Sequence, residues 1–384
     1  MKRIAISLAG IMVVLAACTS NDGTDQRPTG DPSGSAPSSG EVIVFTRQDP
    51  GSGFDGLNSI EPDGSHETEL VPNCCPHVSS DGSQVVVHAY LDADPWVLPA
   101  VLDVQGSGYT VLDSADPTLN LAPGPWSPDG ERIAVSGFED FESQVDRNGI
   151  YILTSEGEDL VRVTQSGDRG DRPVAFSPDG ARILFFRPVK PRGGESAPMN
   201  LYSVRTGGGR LFQLNPPGTT SGLPTIGPSA SWSPDHRRVT FVASSSSFWE
   251  ESPRAVFVVE PGERAHRITP WSKDVLFSAQ WSPDGEWIAF AKRVGDSTDV
   301  FVAQADGSGL KAVTTSADGS FSYGPVWSPD GARLLFIRGS LQDPTRVSGQ
   351  DINQTDLWIA NVDESGLQQL THQTAEYEQY VWAP

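Results

Sequence analysis

Short apolar runs, each led by one long side chain, punctuate this chain at regular intervals: Arg132-Ile133-Ala134-Val135, Arg182-Ile183-Leu184-Phe185, Arg238-Val239-Thr240-Phe241, Trp287-Ile288-Ala289-Phe290 and Arg333-Leu334-Leu335-Phe336. Runs of this length and β-branched or aromatic content, bounded by turn residues, predict strands buried on both faces. The turn before each run is written almost the same way every time. Trp126-Ser127-Pro128-Asp129-Gly130 recurs unchanged at Trp281 to Gly285 and at Trp327 to Gly331, and with one change at Phe176 to Gly180 and Trp232 to His236. A degraded copy, Val78 to Gly82, precedes them, and Trp382-Ala383-Pro384 closes the chain. Ser, Pro and Gly at the first, second and fourth positions suit a type I turn, because Pro pre-sets φ and Gly accepts the exit geometry. The unit is therefore a hairpin corner.

Two more strands follow in each repeat. The third is predicted at segments such as Gly149 to Leu153, Asn200 to Val204, Asp299 to Ala303 and Asp356 to Ala360, and the fourth at pieces such as Leu160 to Thr164 and Gln368 to Thr371. Successive aromatic positions lie 48, 50, 56, 49, 46 and 55 residues apart. A period near 50 with four strands joined by tight turns predicts propeller blades. Second strands count to seven, at Val42, Val85, Ile133, Ile183, Val239, Ile288 and Leu334. The segment Glu41 to Arg47 matches a second strand that has no first strand before it, whereas Gln379 to Trp382 matches a first strand that has no second strand after it. The expected fold is thus all-β over 41–384: a seven-bladed propeller of four-stranded antiparallel blades, its ring closed by pairing the N- and C-terminal strands in one blade. Closure would leave no unprotected sheet edge along the ring.

The phrasing of these repeats, with Ala305-Asp306-Gly307-Ser308, Ala312-Val313-Thr314 and Gln368-Gln369-Leu370-Thr371 beside the aromatic-Ser-Pro-Asp-Gly turns, resembles the TolB-type, WD40-like propeller repeat over the whole body from Glu41. TolB itself looks six-bladed and carries an additional N-terminal domain. The resemblance is therefore carried to the fold and not to TolB's own partners.

The first 40 residues belong to another regime. Met1-Lys2-Arg3, an apolar run from Ile4 to Leu15 and Ala16-Ala17 have the plan of a signal peptide over 1–17, too short to span a bilayer. Leu15-Ala16-Ala17-Cys18 resembles the bacterial lipobox, which implies cleavage before Cys18 and acylation of its thiol, palmitate being one such acyl chain. Multiple acyl chains anchor stably where one is marginal. Residues 19–40 are mostly Gly, Ser, Pro, Thr and Asp, with no apolar side chain larger than Ala36. They read as a disordered tether, which with Cys18 makes a segment 18–40 holding the body roughly 25 Å from a membrane.

Charge narrows the partners. With 27 Lys and Arg against 49 Asp and Glu, the net charge of −22 argues against nucleic acid and against electrostatic adhesion to anionic lipid. No cofactor is called for, Ca²⁺ being the one ion this acidity leaves open. Cys74 and Cys75 are the only thiols besides Cys18. A bridge between them would span a Cα separation of about 3.8 Å, shorter than disulfides prefer, so bridged and free forms both stay open.

Catalytic signatures are missing. The sequence has no Gly-x-Ser-x-Gly elbow, no His-Glu-x-x-His, no glycine-rich phosphate loop and no Cys-x-x-Cys, and its six His are scattered among the repeats. The reading leans away from an enzyme. What remains is the set of long connections between second and third strands and between blades, where recognition residues concentrate over a rigid scaffold. Aromatics outside the repeat pattern lie there: Phe138, Phe141, Phe248, Trp249, Trp271, Phe321, Tyr323 and Tyr377. Exposed aromatics among charges can form a recognition surface, and each can equally pack its own loop. The expected function is a membrane-anchored, extracytoplasmic bacterial lipoprotein that binds a protein partner in the cell envelope through this face. The alternative is a glycan-binding propeller, with a lyase or hydrolase site in its central pocket, as in the oligogalacturonate lyases whose repeats look similar. The anchor has a direct check: Cys18→Ser should move the protein from the membrane to the soluble extracytoplasmic fraction, and a variant that stays with the membrane removes the lipobox reading.

Overall fold

The corner turn is built around a buried serine. In all six copies the Ser hydroxyl donates to the Asp two residues on. The same oxygen accepts the backbone N–H that opens the second strand, at 2.9 Å in each of Gln84, Arg132, Arg182, Arg238, Trp287 and Arg333. The Ser carbonyl accepts the N–H of the fourth turn residue at 2.7–3.0 Å. That residue has positive φ: 68–74° at the five glycines and 64° at His236, the one position where a side chain takes the left-handed conformation Gly occupies elsewhere. The serine hydrogen bond is the leading cause that holds Asp81, Asp129, Asp179, Asp235 and Asp330 below the usual carboxylate range.

The computed structural model describes residues 41–48, 55–71, 76–89, 97–112, 119–139, 146–166, 170–188, 199–221, 230–246, 252–316, 320–341, 352–372 and 376–383. The expected signal peptide and tether, with Cys18, lie outside the described residues, as do Cys74 and Cys75. No helix occurs among those described.

Among the described residues, twenty-eight strands form six sheets. A terminal sheet orders Glu376–Ala383, Val42–Gln48, Asp55–Ile60 and Thr68–Val71, so both ends of the body meet in one sheet, with Ile43 opposite Trp382. Four further sheets of four strands follow, over 77–111, 120–162, 172–213 and 230–267. The last sheet, over 275–369, holds eight strands. The expectation of seven four-stranded blades is therefore corrected: five four-stranded blades are present, and the last two repeats are joined into one sheet by a parallel pairing of Thr298 with Phe321. The two strands that meet there, Ser297–Gln304 and Ser320–Trp327, each run eight residues. A bulge between Tyr323 and Val326, with Gly324 at φ 68°, bends Ser320–Trp327 beside Ser297–Gln304.

The Leu-Thr ending of the fourth strand is a clamp on the third. Thr164, Thr269, Thr314 and Thr371 accept the N–H of Ile150, Val256, Val300 and Leu357 at 2.9–3.0 Å, and Asn215 does the same for Leu201. Between sheets, the repeat aromatics are buried at 5–7% exposure, as their repetition implies. Arg238 and Arg333, each just past one turn, stack over Trp281 and Trp382 of the next repeat with the guanidinium 4.7 Å from the ring centroid. Glu41 accepts from both Arg333 and the Trp382 indole, at 3.0 and 3.2 Å, which latches the start of the body to its end.

Because Ser328 is fully buried and serves two partners, Ser328→Ala strands the Arg333 N–H. It should cost about 1–3 kcal/mol, read as a lowered urea midpoint, whereas an unchanged midpoint would show that water replaces the hydroxyl.

Candidate functional site

The sheet over 230–267, with the connection after it, carries Trp271 at the surface. Its third strand, Arg254–Val259, is buried along its whole length, and Phe257 stacks on Phe241 at 5.6 Å. Its fourth strand, His266–Arg267, is only two residues long. The chain then leaves through Ile268-Thr269-Pro270-Trp271-Ser272, a segment fixed at both ends. Ile268 N–H donates to the Val256 carbonyl at 2.9 Å, and Ser272 exchanges backbone hydrogen bonds of 2.8 and 3.0 Å with Arg254. Trp271 is carried between these anchors.

Its ring meets Phe257 edge-on at 5.6 Å, and Arg267 lies over it at 5.6 Å. The indole is half-buried and separates two depressions. The larger, about 760 Å³, lies between this sheet and the preceding one. Leu214, Pro216 and Pro217 form one wall, Phe257 and Trp271 the floor, and Arg264 and Arg267 the other wall. The smaller, about 350 Å³, lies beyond Trp271 among Pro270, Phe290, Lys292 and Leu310. Both depressions are open, and their linings mix apolar side chains with charged ones, Glu263, Arg264 and Arg267 in the larger and Asp274 and Lys292 in the smaller.

The other sequence-nominated aromatics divide. Phe321 and Tyr377 are packed inside the cluster that joins the last sheet to the terminal one, with Tyr323 half-buried against them. Phe321 stacks on Tyr323 at 5.5 Å and Tyr377 lies 5.6 Å from Phe45, so these three meet one another but not Trp271. Burial raises the Tyr377 phenol to about 12. Phe138 ends the strand Arg132–Phe138 and is half-buried. Phe141, Phe248 and Trp249 lie outside the described residues. No group of three or more His, Cys, Asp or Glu among the described residues is placed to hold a metal ion.

Sequence reasoning missed one pair. His77 lies opposite Val86 in the hairpin, which brings it diagonal to His88 on the same face. Burial pushes both imidazoles down to about 4, and the neighbouring His88 adds to the effect on His77. Each keeps some contact with water, yet both are held neutral. Their separation along the chain gives no ligand spacing, so only the strand register could have revealed them. Elsewhere, Asp171 is fully buried and takes Arg187 at two oxygens, both at 2.7 Å, with Thr164 donating at 2.6 Å. That pair is satisfied within the fold.

No protein-family model matches the chain. Among curated proteins it is 26% identical to an uncharacterised protein of Agrobacterium fabrum over 235 residues, 58% of this chain and 66% of that protein. It is 31% identical to the Tol-Pal system protein TolB of Anaeromyxobacter dehalogenans over 99 residues, 26% of this chain and 21% of that one. In both, the match covers less than two thirds of the relative's length. Among solved structures, TolB from Acinetobacter baumannii aligns over 92% of this chain and 68% of its own, with a TM-score of 0.51 at 18% identity. The propeller domain of the Trilobed protease from Pyrococcus furiosus aligns over 87% of this chain and 92% of its own, with a TM-score of 0.58 at 11% identity. The fold is that of a TolB-like β-propeller.

The histidine pair makes stability depend on pH. Both pKa values are lowered on folding, so stability is full above the ordinary value of 6.5 and falls as the pH drops from 6.5 towards about 4. The loss should be on the order of 1–3 kcal/mol per histidine. Urea midpoints taken across that window should decline in the wild type and decline less in His77→Gln/His88→Gln; equal slopes would remove these two side chains as the cause.

Proposed function

We propose that this TolB-like propeller is an exported, membrane-tethered protein that works by binding another protein of the cell envelope, and that the cleft floored by Trp271 is where it binds. One observation carries the reading. Trp271 is a large aromatic, half in water, held at both ends by backbone hydrogen bonds and shared by two depressions. A rigid aromatic of this kind loses little entropy on contact and is the side chain most often found at the energetic centre of protein interfaces.

Three further features support it. A relative over part of the chain is a Tol-Pal system protein. The strongly acidic composition suits an exported protein and disfavours nucleic acid. Signal, Cys18 and the 19–40 segment would together hold the body at a membrane on the extracytoplasmic side, with enough slack to reach a partner.

A photocross-linking residue in place of Trp271 tests this in cells. Trp271→p-benzoylphenylalanine should give a discrete protein adduct, and Val161→p-benzoylphenylalanine, at an exposed position on a different sheet, should not. Adducts of equal yield at both positions, or none at Trp271, would overturn the proposal.

A further inference from the structure

The flank around Trp271 alternates cations with aromatic rings across three successive repeats. Phe212, at the outer edge of the sheet over 172–213, lies between Arg182 and Arg210, whose guanidinium carbons are 5.3 and 5.0 Å from its centroid. Arg267 covers Trp271 in the next repeat, and Lys292 lies 5.4 Å from the Phe301 ring in the one after. Gly262 of the next repeat lies against the Phe212 ring. Of these groups, Arg267 and Trp271 line the larger depression and Trp271 and Lys292 the smaller.

The cations of this flank lie on a body that is acidic overall. Acidic side chains outnumber basic ones by 49 to 27, and other arginines such as Arg47, Arg132, Arg147, Arg187, Arg238 and Arg333 are ion-paired. Arg210, Arg264, Arg267 and Lys292 have no ion pair among the described residues. Glu263 and Asp274 also border the depressions, and Asp274 is taken up by the Ser272 hydroxyl at 2.8 Å. Arg264 and Arg267 thus line the larger depression and Lys292 the smaller, one cation more than the two carboxylates beside them.

We infer that the occupant of this cleft is an extended acidic peptide segment of the partner protein, running across Trp271 with its carboxylates on Arg264, Arg267 and Lys292. The inference rests on the protein-binding reading of the same cleft. Complementary charge supplies the sign of the partner. Main-chain and apolar contacts favour a peptide over an anionic glycan. Beside the cleft, the two-residue strands Phe212–Gln213 and His266–Arg267 are each paired on one side only, and Pro217 and the half-exposed Leu310 offer apolar contacts. An extended chain can use both kinds of contact.

Calorimetry with defined probes tests the chemistry on the full-length protein. The probes are an extended peptide of repeated Glu-Ser-Val, its Gln-Ser-Val counterpart of the same length, and polygalacturonate. The Glu peptide should bind, weaken as salt rises, and lose at least about tenfold in affinity in Arg264→Gln/Arg267→Gln, while the Gln peptide does not bind. Both arginines are exposed and unpaired with acids, so the double variant should stay folded, its urea midpoint lowered only by the loss of the Arg267–Trp271 contact. Equal binding of the Gln and Glu peptides, or undiminished binding in the double variant, overturns the acidic-segment inference. Tighter binding of polygalacturonate than of the Glu peptide overturns it in favour of a glycan. If Trp271→p-benzoylphenylalanine still gives its protein adduct when the Glu peptide fails, the protein-binding reading survives and only the acidic chemistry falls.

Discussion

The whole body depends on the oxygen of one serine, repeated six times. In each corner it donates to a carboxylate and accepts from the strand that follows, so a buried hydroxyl is satisfied on both sides. The carboxylate it binds in turn receives the N–H of the residue after the turn, as Ala332 donates to Asp330 at 3.0 Å. A corner completed locally fixes where the second strand starts, and therefore its register against the first. Everything stacked on those strands inherits that register, from the tryptophans between sheets to the arginines that cover them.

The cleft follows from how that corner distributes chain length. Tight turns occupy one end of each sheet, and the longer connections leave from the other. Where the fourth strand is two residues long, as at His266–Arg267, the outer edge of the sheet is thin, and side chains from both its ends reach the same space. Arg264 from the turn and Trp271 from the connection to the next repeat thus line a single depression.

The sequence spelled out the repeat because its information is local. Ser, Pro, Asp and Gly act within five residues, and the runs after them are apolar enough to be strands in any arrangement. The merged sheet was not legible, since it rests on one parallel pairing, Thr298 with Phe321, between residues of different repeats. Strand extension explains Phe321, Tyr323 and Tyr377. They fall off the repeat pattern and so resemble loop aromatics, yet they sit in first strands that continue past a bulge at Tyr323/Val326 and another opposite Phe45/Arg47. An inserted residue shifts the period by one, which hides a strand from any reading that counts by twos. Trp271 has no such strand to join. It was visible as an aromatic without a place in the repeat, but its anchoring between Val256 and Arg254 is a property of the third strand and not of its own neighbours in sequence.

The latch at Glu41 bears on mechanics. Val42–Gln48 is flanked on one side by Asp55–Ile60 and on the other by Glu376–Ala383. A force applied through residues preceding Glu41 enters the body along the axis of an interior strand. Both of its hydrogen-bonded ladders are then loaded in shear, all their bonds sharing the strain together, rather than being peeled apart one at a time. A body pulled from that end would resist as a unit, with the first and last strands of the chain yielding only at the same moment.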